Sequence, residues 1–230
     1  MVNKFVFIVI LLAGILTGCN LTSSIAAPTV ISTIAPTLGF VKPTPLQPIS
    51  PAQLIIIMTA TPHTAQQAVL DRAADVITLL KNQDMTTLAG YVHPQLGLRF
   101  SPYAFVRDTD NEIPPDGIAG LLTDPTVHPW GAYSGSGEPI DLTFVDYYSQ
   151  FVYDLDFANA PEISLNHRLG VSTSMDNIFA FYRSSMFVEY YFPGFDPQFE
   201  GMDWRSLRLV FMQDNDTWYL VGIIHDQWTT

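Results

Sequence analysis

The scarce reactive side chains of this chain gather near its C-terminus. His225 is followed by Asp226, and upstream Asp203, Trp204 and Arg205 stand together. A histidine is the usual general base near neutral pH, provided a carboxylate orients it. In a strand, adjacent residues point to opposite faces, so Asp226 is not that carboxylate. A partner for His225 must come from elsewhere, with Asp203 and Glu189 as candidates. The plainer alternative is a half-buried His225 and an Asp226 that closes a sheet end. Asp203, Trp204 and Arg205 offer an acceptor, an aromatic face and a planar donor fork in one place. Trp204 either stacks on a ring or sugar or fills core.

Other candidates are more scattered. His93 precedes Pro94 where a helix should end, a place the helix dipole favours for a cation; catalysis is the alternative role. Arg99 interrupts an apolar stretch. It either pairs with an inner carboxylate or binds an anionic ligand group. Tyr133 sits in Trp130-Gly-Ala-Tyr-Ser-Gly-Ser-Gly137. The working expectation is that Arg99, Arg205 and His225, with Trp204 or Tyr133 nearby, form one group at a cavity mouth. The competing view pairs each internally, the arginines with Asp203 and Glu189. No metal site or cofactor is expected. The five histidines show no paired ligand spacing. Asp108-Thr-Asp-Asn-Glu112 alternates oxygen ligands but lacks the rest of a calcium loop, and reads as a solvated acidic loop. Gly135-Ser-Gly137 has no following Lys, and there is no Gly-x-Ser-x-Gly elbow.

The element that positions the C-terminal residues is a hairpin. Residues 204–213 and 217–228 are apolar at nearly every position and flank Asp214-Asn215-Asp216, where Asn and Asp tolerate a tight turn. Strands apolar on both faces are covered on both, so the hairpin should be central in its sheet. A three-residue loop pairs Gln213 with Thr217, Met212 with Trp218 and Arg205 with His225. A two-residue loop sets Arg205 opposite Asp226. The three-residue loop is favoured because it keeps Asp214 out of the ladder. Either way His225, Asp226, Arg205 and Trp204 gather at one end of the hairpin.

Upstream, a helix begins at Thr61-Pro62, with Thr64 and Gln67 as a capping box and Val69, Leu70, Ala73, Val76, Ile77 and Leu80 on one face. A second, short helix starts at Asp84. Residues 96–106 read as an edge strand, because Pro102 breaks the donor row. Residues 107–140 are loop-like, long enough to suggest function. Thr143 and Asp146 cap a helix bearing Phe144, Tyr147, Tyr148, Phe151 and Val152. A strand follows at 162–169, a helix or strand at 176–182, and a further strand at 185–192.

Lys4, an apolar run from Phe5 to Leu16 and small residues before Cys19 read as a signal peptide over 1–18. Leu16-Thr17-Gly18-Cys19 resembles the bacterial lipobox, which implies lipid on the one cysteine and a stable membrane anchor. Residues 19–62 hold that cysteine and a Thr/Pro-rich tether, in which 54–58 is either a short strand or a segment docked on the domain. All 22 acidic residues and eight of the ten Lys and Arg lie from Asp71 onward, which leaves that part at −14. Such a field repels nucleic acid and anionic headgroups.

The order helix, short helix, edge strand, insertion and long hairpin ending Trp-Tyr-Leu-Val-Gly-Ile-Ile resembles the nuclear-transport-factor-2-like superfamily. Val92-His-Pro, Gly97-Leu-Arg-Phe-Ser-Pro-Tyr103, Asp156-Phe-Ala-Asn-Ala-Pro161 and Met202-Asp-Trp-Arg-Ser-Leu-Arg208 resemble a group of bacterial envelope proteins. The resemblance implies an α+β domain over 63–230, with a curved antiparallel sheet wrapped around N-terminal helices like a cone. It implies no single activity, since this fold hosts enzymes and binding modules alike. The expected function is an extracytoplasmic binding module tethered to a cell or outer membrane through Cys19, with a small molecule, glycan or envelope protein as partner. The alternative is a small-molecule enzyme with His225 or His93 as base.

Overall fold

The computed structural model describes residues 64–171 and 173–229. The signal peptide, Cys19, the tether with 54–58, and the first residues of the expected helix start lie outside the described residues. What is described is an α+β domain built on one antiparallel-dominated sheet with helices packed against it.

The first helix, α1, runs over Ala65–Lys81, where Thr64 takes the N-cap and its hydroxyl accepts the Gln67 amide at 3.2 Å. Val69, Ala73, Val76, Ile77 and Leu80 are its buried stripe. A short helix α2, Met85–Leu88, follows with Asp84 as its cap. Strand β1 is Leu98–Ser101 and β2 is Glu112–Ile113. The expectation of an edge strand at 96–106 is therefore corrected. Pro102 ends β1 instead of interrupting it, and β1 is internal, antiparallel to β2 on one side and parallel to the last strand on the other. The segment 107–140 is also more structured than expected. It holds β2, a turn of helix α3 at Pro115–Ile118, and a hairpin of β3, Val127–Ala132, with β4, Pro139–Thr143.

Helix α4, Phe144–Phe151, starts at the Thr143 cap, whose hydroxyl accepts the Asp146 amide at 3.3 Å. Strand β5 covers only Glu162–Leu165, since Asn166 turns away with φ 55°. The ambiguous segment at 176–182 is helical, α5 over Ile178–Phe181. Then come β6, Met186–Phe192, β7, Arg205–Asp214, and β8, Thr217–Gln227. The sheet order is β2-β1-β8-β7-β6-β5, so the C-terminal hairpin is central. One face packs Tyr190, Leu207, Leu209, Phe211 and Ile223 with α1 and α4. The other packs Phe187, Val210, Val221 and Ile224 with Ile178, Tyr182 and Val106. Burial on both sides explains the unbroken apolar pattern of β7 and β8.

The register follows the two-residue alternative, not the favoured three-residue loop, at the turn, and departs from both versions beyond a bulge. The loop has two residues: Asn215, at φ 52°, and Asp216 turn the chain, and Asp214 pairs with Thr217. Met212 thus faces Tyr219, not Trp218. Phe211 pairs with Leu220 but Val210 with Gly222, a bulge that gives β8 one extra residue. Beyond it Leu207 pairs with His225 and Arg205 with Gln227, so Arg205 opposes neither His225 nor Asp226. The bulge sits where Gly222 meets Tyr182 and Val210 so closely that a Cβ would lie 3.3 Å from the Tyr182 hydroxyl. That packing comes from segments remote in sequence.

Candidate functional site

The two-residue turn and the bulge decide which face each candidate occupies. His225 shares a face with Leu207, beneath α4, and its side chain has no exposure. Its Nε2 lies 3.3 Å from Asp154 Oδ1, and its ring meets Phe151 edge-on at 5.7 Å. The other Asp154 oxygen lies 3.4 Å from Arg205 Nε. Arg205 also donates to the carbonyls of Asp203 and Trp204 at 3.3 and 3.0 Å. So the acidic partner of both His225 and Arg205 is Asp154, just after α4, and neither Asp203 nor Glu189. Among the described residues neither ring nitrogen of His225 makes a well-formed hydrogen bond, and Asp154 Oδ1 makes none either. Tyr133 joins this face at one remove: its ring lies 6.2 Å from Phe151, and its hydroxyl donates to Gln150 at 3.3 Å.

Asp203 and Trp204 take structural positions. The Asp203 carboxylate accepts the amides of Phe195 and Asp196 at 3.0 and 2.8 Å, closing the loop before β7. Trp204 lies on the opposite face from His225, 5.9 Å from Tyr191 and so tight on Gly170 that a Cβ there would come within 2.4 Å of the indole. Its buried Nε1 has no hydrogen-bond partner among the described residues.

A buried charge cluster sits on that same opposite face. Arg208, Glu189 and Asp226 have no exposed side-chain surface, and Arg208 bonds Asp226 at 2.6 Å and Glu189 at 3.1 Å. Arg168 reaches Asp226 at 2.9 Å, and Glu189 also accepts the Leu169 amide at 2.5 Å. Burial alone would lower the Arg208 pKa, but Glu189, Asp226 and Asp176 outweigh it and hold the guanidinium above its ordinary value. This cluster straps the segment after β5 onto the sheet. Sequence reasoning missed it, although an arginine inside an apolar strand was the available signal.

Arg99 also lies on this face. Of its two expected roles, the carboxylate pairing is present: Glu112 at 2.5 Å, supplemented by the carbonyls of Arg107, Asp108 and Asp110. The guanidinium stands 5.3 Å above Phe181. Beside it opens a cleft of about 650 Å³ with Phe181, Met212 and Val221 in its walls and Arg99, Glu112 and Arg183 among its polar residues. Arg99 is therefore separated by the sheet from His225 and Arg205, and the single constellation expected of them does not form.

His93 takes a structural position. Its Nδ1 accepts the amides of Gln95 and Leu96 at 3.2 and 3.1 Å, so the ring organises the turn that follows the short helices. In the acidic loop, Asp110 accepts from the Ser101 hydroxyl at 2.6 Å and the Arg107 amide at 2.9 Å, and burial raises its pKa. Among the described residues, no group of three or more His, Cys, Asp or Glu could hold a metal ion.

No family model matches the chain, and no curated protein matches it. A substituted form of a solved protein named Rd1NTF2_05 aligns over 68% of this chain and 95% of its own, at 11% identity and a TM-score of 0.29. A likeness at that level carries no assignment.

Proposed function

We propose that this protein is a lipid-anchored, extracytoplasmic binding module, and that its domain takes a small molecule in the cleft beside Arg99. The observation that supports this is the cleft itself. Its volume of about 650 Å³ falls in the range of small-molecule sites, which are commonly apolar with a few placed polar groups. Phe181, Met212 and Val221 supply the apolar surface. Arg99 is held in place by Glu112, while Arg183 makes no hydrogen bond or ion pair among the described residues and is free to meet a ligand. The anchor reading rests on Leu16-Thr17-Gly18-Cys19 after the apolar run, and the nuclear-transport-factor-2-like reading on the resemblance of the hairpin and its preceding elements.

The enzyme alternative needs His225 or His93 to face a substrate. His225 has no exposed surface, and the His93 Nδ1 lone pair is engaged. Binding without chemistry is the better reading of this geometry.

A small-molecule screen on the full-length protein, read by melting temperature and then by titration, tests the site. Ala180 lines the cleft and is exposed, so Ala180→Trp should block it without disturbing the core. Compounds that saturate the wild type should lose binding in this variant, with its melting temperature unchanged. Equal binding by both proteins would place the site elsewhere.

A further inference from the structure

A second recognition surface lies at the far end of the sheet, around Trp228. Two clefts of about 360 Å³ each adjoin there. One is lined by Tyr191, Trp204 and Glu200, the other by Phe199, Arg205 and Gln227, and Trp228 and Met202 line both. Trp228, Phe199 and Met202 are 37%, 46% and 43% exposed, although each could have been buried at lower free energy. The surface is also built to hold its shape. Asp203 ties the loop closed through the Phe195 and Asp196 amides, and Asp196 accepts the Gln198 amide at 2.9 Å. Gly194, at φ 127°, lets the turn close where a Cβ would come 2.9 Å from Asp203 Oδ1.

The polar groups around the aromatics identify the ligand class. The side chains of Gln227 and Glu200, one in each cleft, make no hydrogen bond among the described residues. Arg205 Nη2 likewise makes none among the described residues, its bonds going through Nη1. The surface therefore combines an exposed aromatic face with unused donors and acceptors at its edges. A pyranose ring has the complementary form, with a C–H face that packs on an indole and equatorial hydroxyls that both donate and accept. A lipid or an apolar peptide would cover the Gln227 carboxamide and the Glu200 carboxylate without pairing them, which is costly. The −14 charge from Asp71 onward disfavours an acidic polysaccharide. We propose that this ridge is a binding site for a neutral oligosaccharide, laid across Trp228 with sugar units in the cleft on either side.

The test is a titration of the full-length protein, in a detergent without a sugar headgroup, with the N-acetylglucosamine tetramer and with cellotetraose. Tryptophan fluorescence and calorimetry are the readouts. Saturable binding of one of them is expected. Trp228→Ala should weaken it about tenfold or more, equivalent to ~1.4 kcal/mol, while Trp228→Phe retains most of it. Gln227→Leu, which keeps the aromatic face, should also weaken it, and Ala180→Trp should leave it unchanged. The proposal is overturned if neither oligosaccharide binds saturably at millimolar concentration, or if Trp228→Ala and Gln227→Leu bind as well as wild type. Binding to phosphatidylcholine vesicles, or self-association through this surface, without sugar binding overturns it too.

Discussion

Arg208 lies in the middle of β7 with no exposed surface and holds Glu189 and Asp226 at once. Cutting it back to alanine leaves two carboxylates in a dry interior, with Arg168 still on only one of them. Removing one member of such a cluster typically costs ~3–5 kcal/mol, because the remaining charge is stranded. Arg208→Ala should lose that much in urea melts. The double variant Arg208→Met with Glu189→Met removes both charges of one pair and should recover a large part of the loss. A loss under ~1 kcal/mol in the single variant, the level of an exposed pair, would mean water reaches this cluster in solution.

At the scale of elements, two contacts have measurable consequences. The last turn of α1 is joined to the turn after α4 by Lys81 and Asp156 at 2.9 Å. Hydrogen bonds from Lys81, Asn159 and Tyr153 hold the Asp156 pKa down to about 2. A depressed carboxylate contributes stability above its unfolded pKa and loses it as pH falls through the folded one. Wild type should therefore exceed Asp156→Asn in stability at pH 5, and the two should converge as the pH drops from about 4 toward about 2. A constant difference across that window would remove Asp156 ionisation from the explanation. The hairpin turn supplies the second contact. Asn215 has φ 52°, a left-handed conformation that costs most residues ~1–2 kcal/mol. Asn215→Val should lose about that much in thermal melts, and Asn215→Gly should hold or gain. A neutral valine would show that the turn relaxes to another form.

For the whole molecule, the strongly acidic domain and the apolar N-terminus divide the chain into parts with opposite solvent preferences. If lipid on Cys19 joins them, Cys19→Ser should abolish lipid labelling, leave the signal segment uncleaved and leave the melting of the domain as it was. Labelling and cleavage of the variant at wild-type levels would refute the anchor. The two proposed surfaces, beside Arg99 and around Trp228, share no lining residue, so binding at each should be separable by point substitution.

Local patterns made several elements legible in advance. Thr64 and Thr143 cap their helices through bonds spanning three residues, and the spacing of Val69, Ala73 and Val76 marks a buried stripe without knowledge of what covers it. The unbroken apolar runs of β7 and β8 placed the hairpin centrally, because burial on both faces leaves that imprint on composition. The candidate site was legible only as a set of residues, not as an arrangement. Strand side chains alternate, so one extra residue at the β8 bulge exchanges faces for everything beyond it. That bulge depends on Tyr182 and Val210 crowding Gly222, a contact with no local signal. Asp154 as the partner of His225, the parallel pairing of β1 with β8, and the Arg208 cluster are likewise meetings of residues far apart in the chain. Short-range chemistry writes caps, stripes and turns into the sequence, whereas the pairing of distant charges follows from packing the sheet, which placed Arg99 and His225 on opposite sides of it.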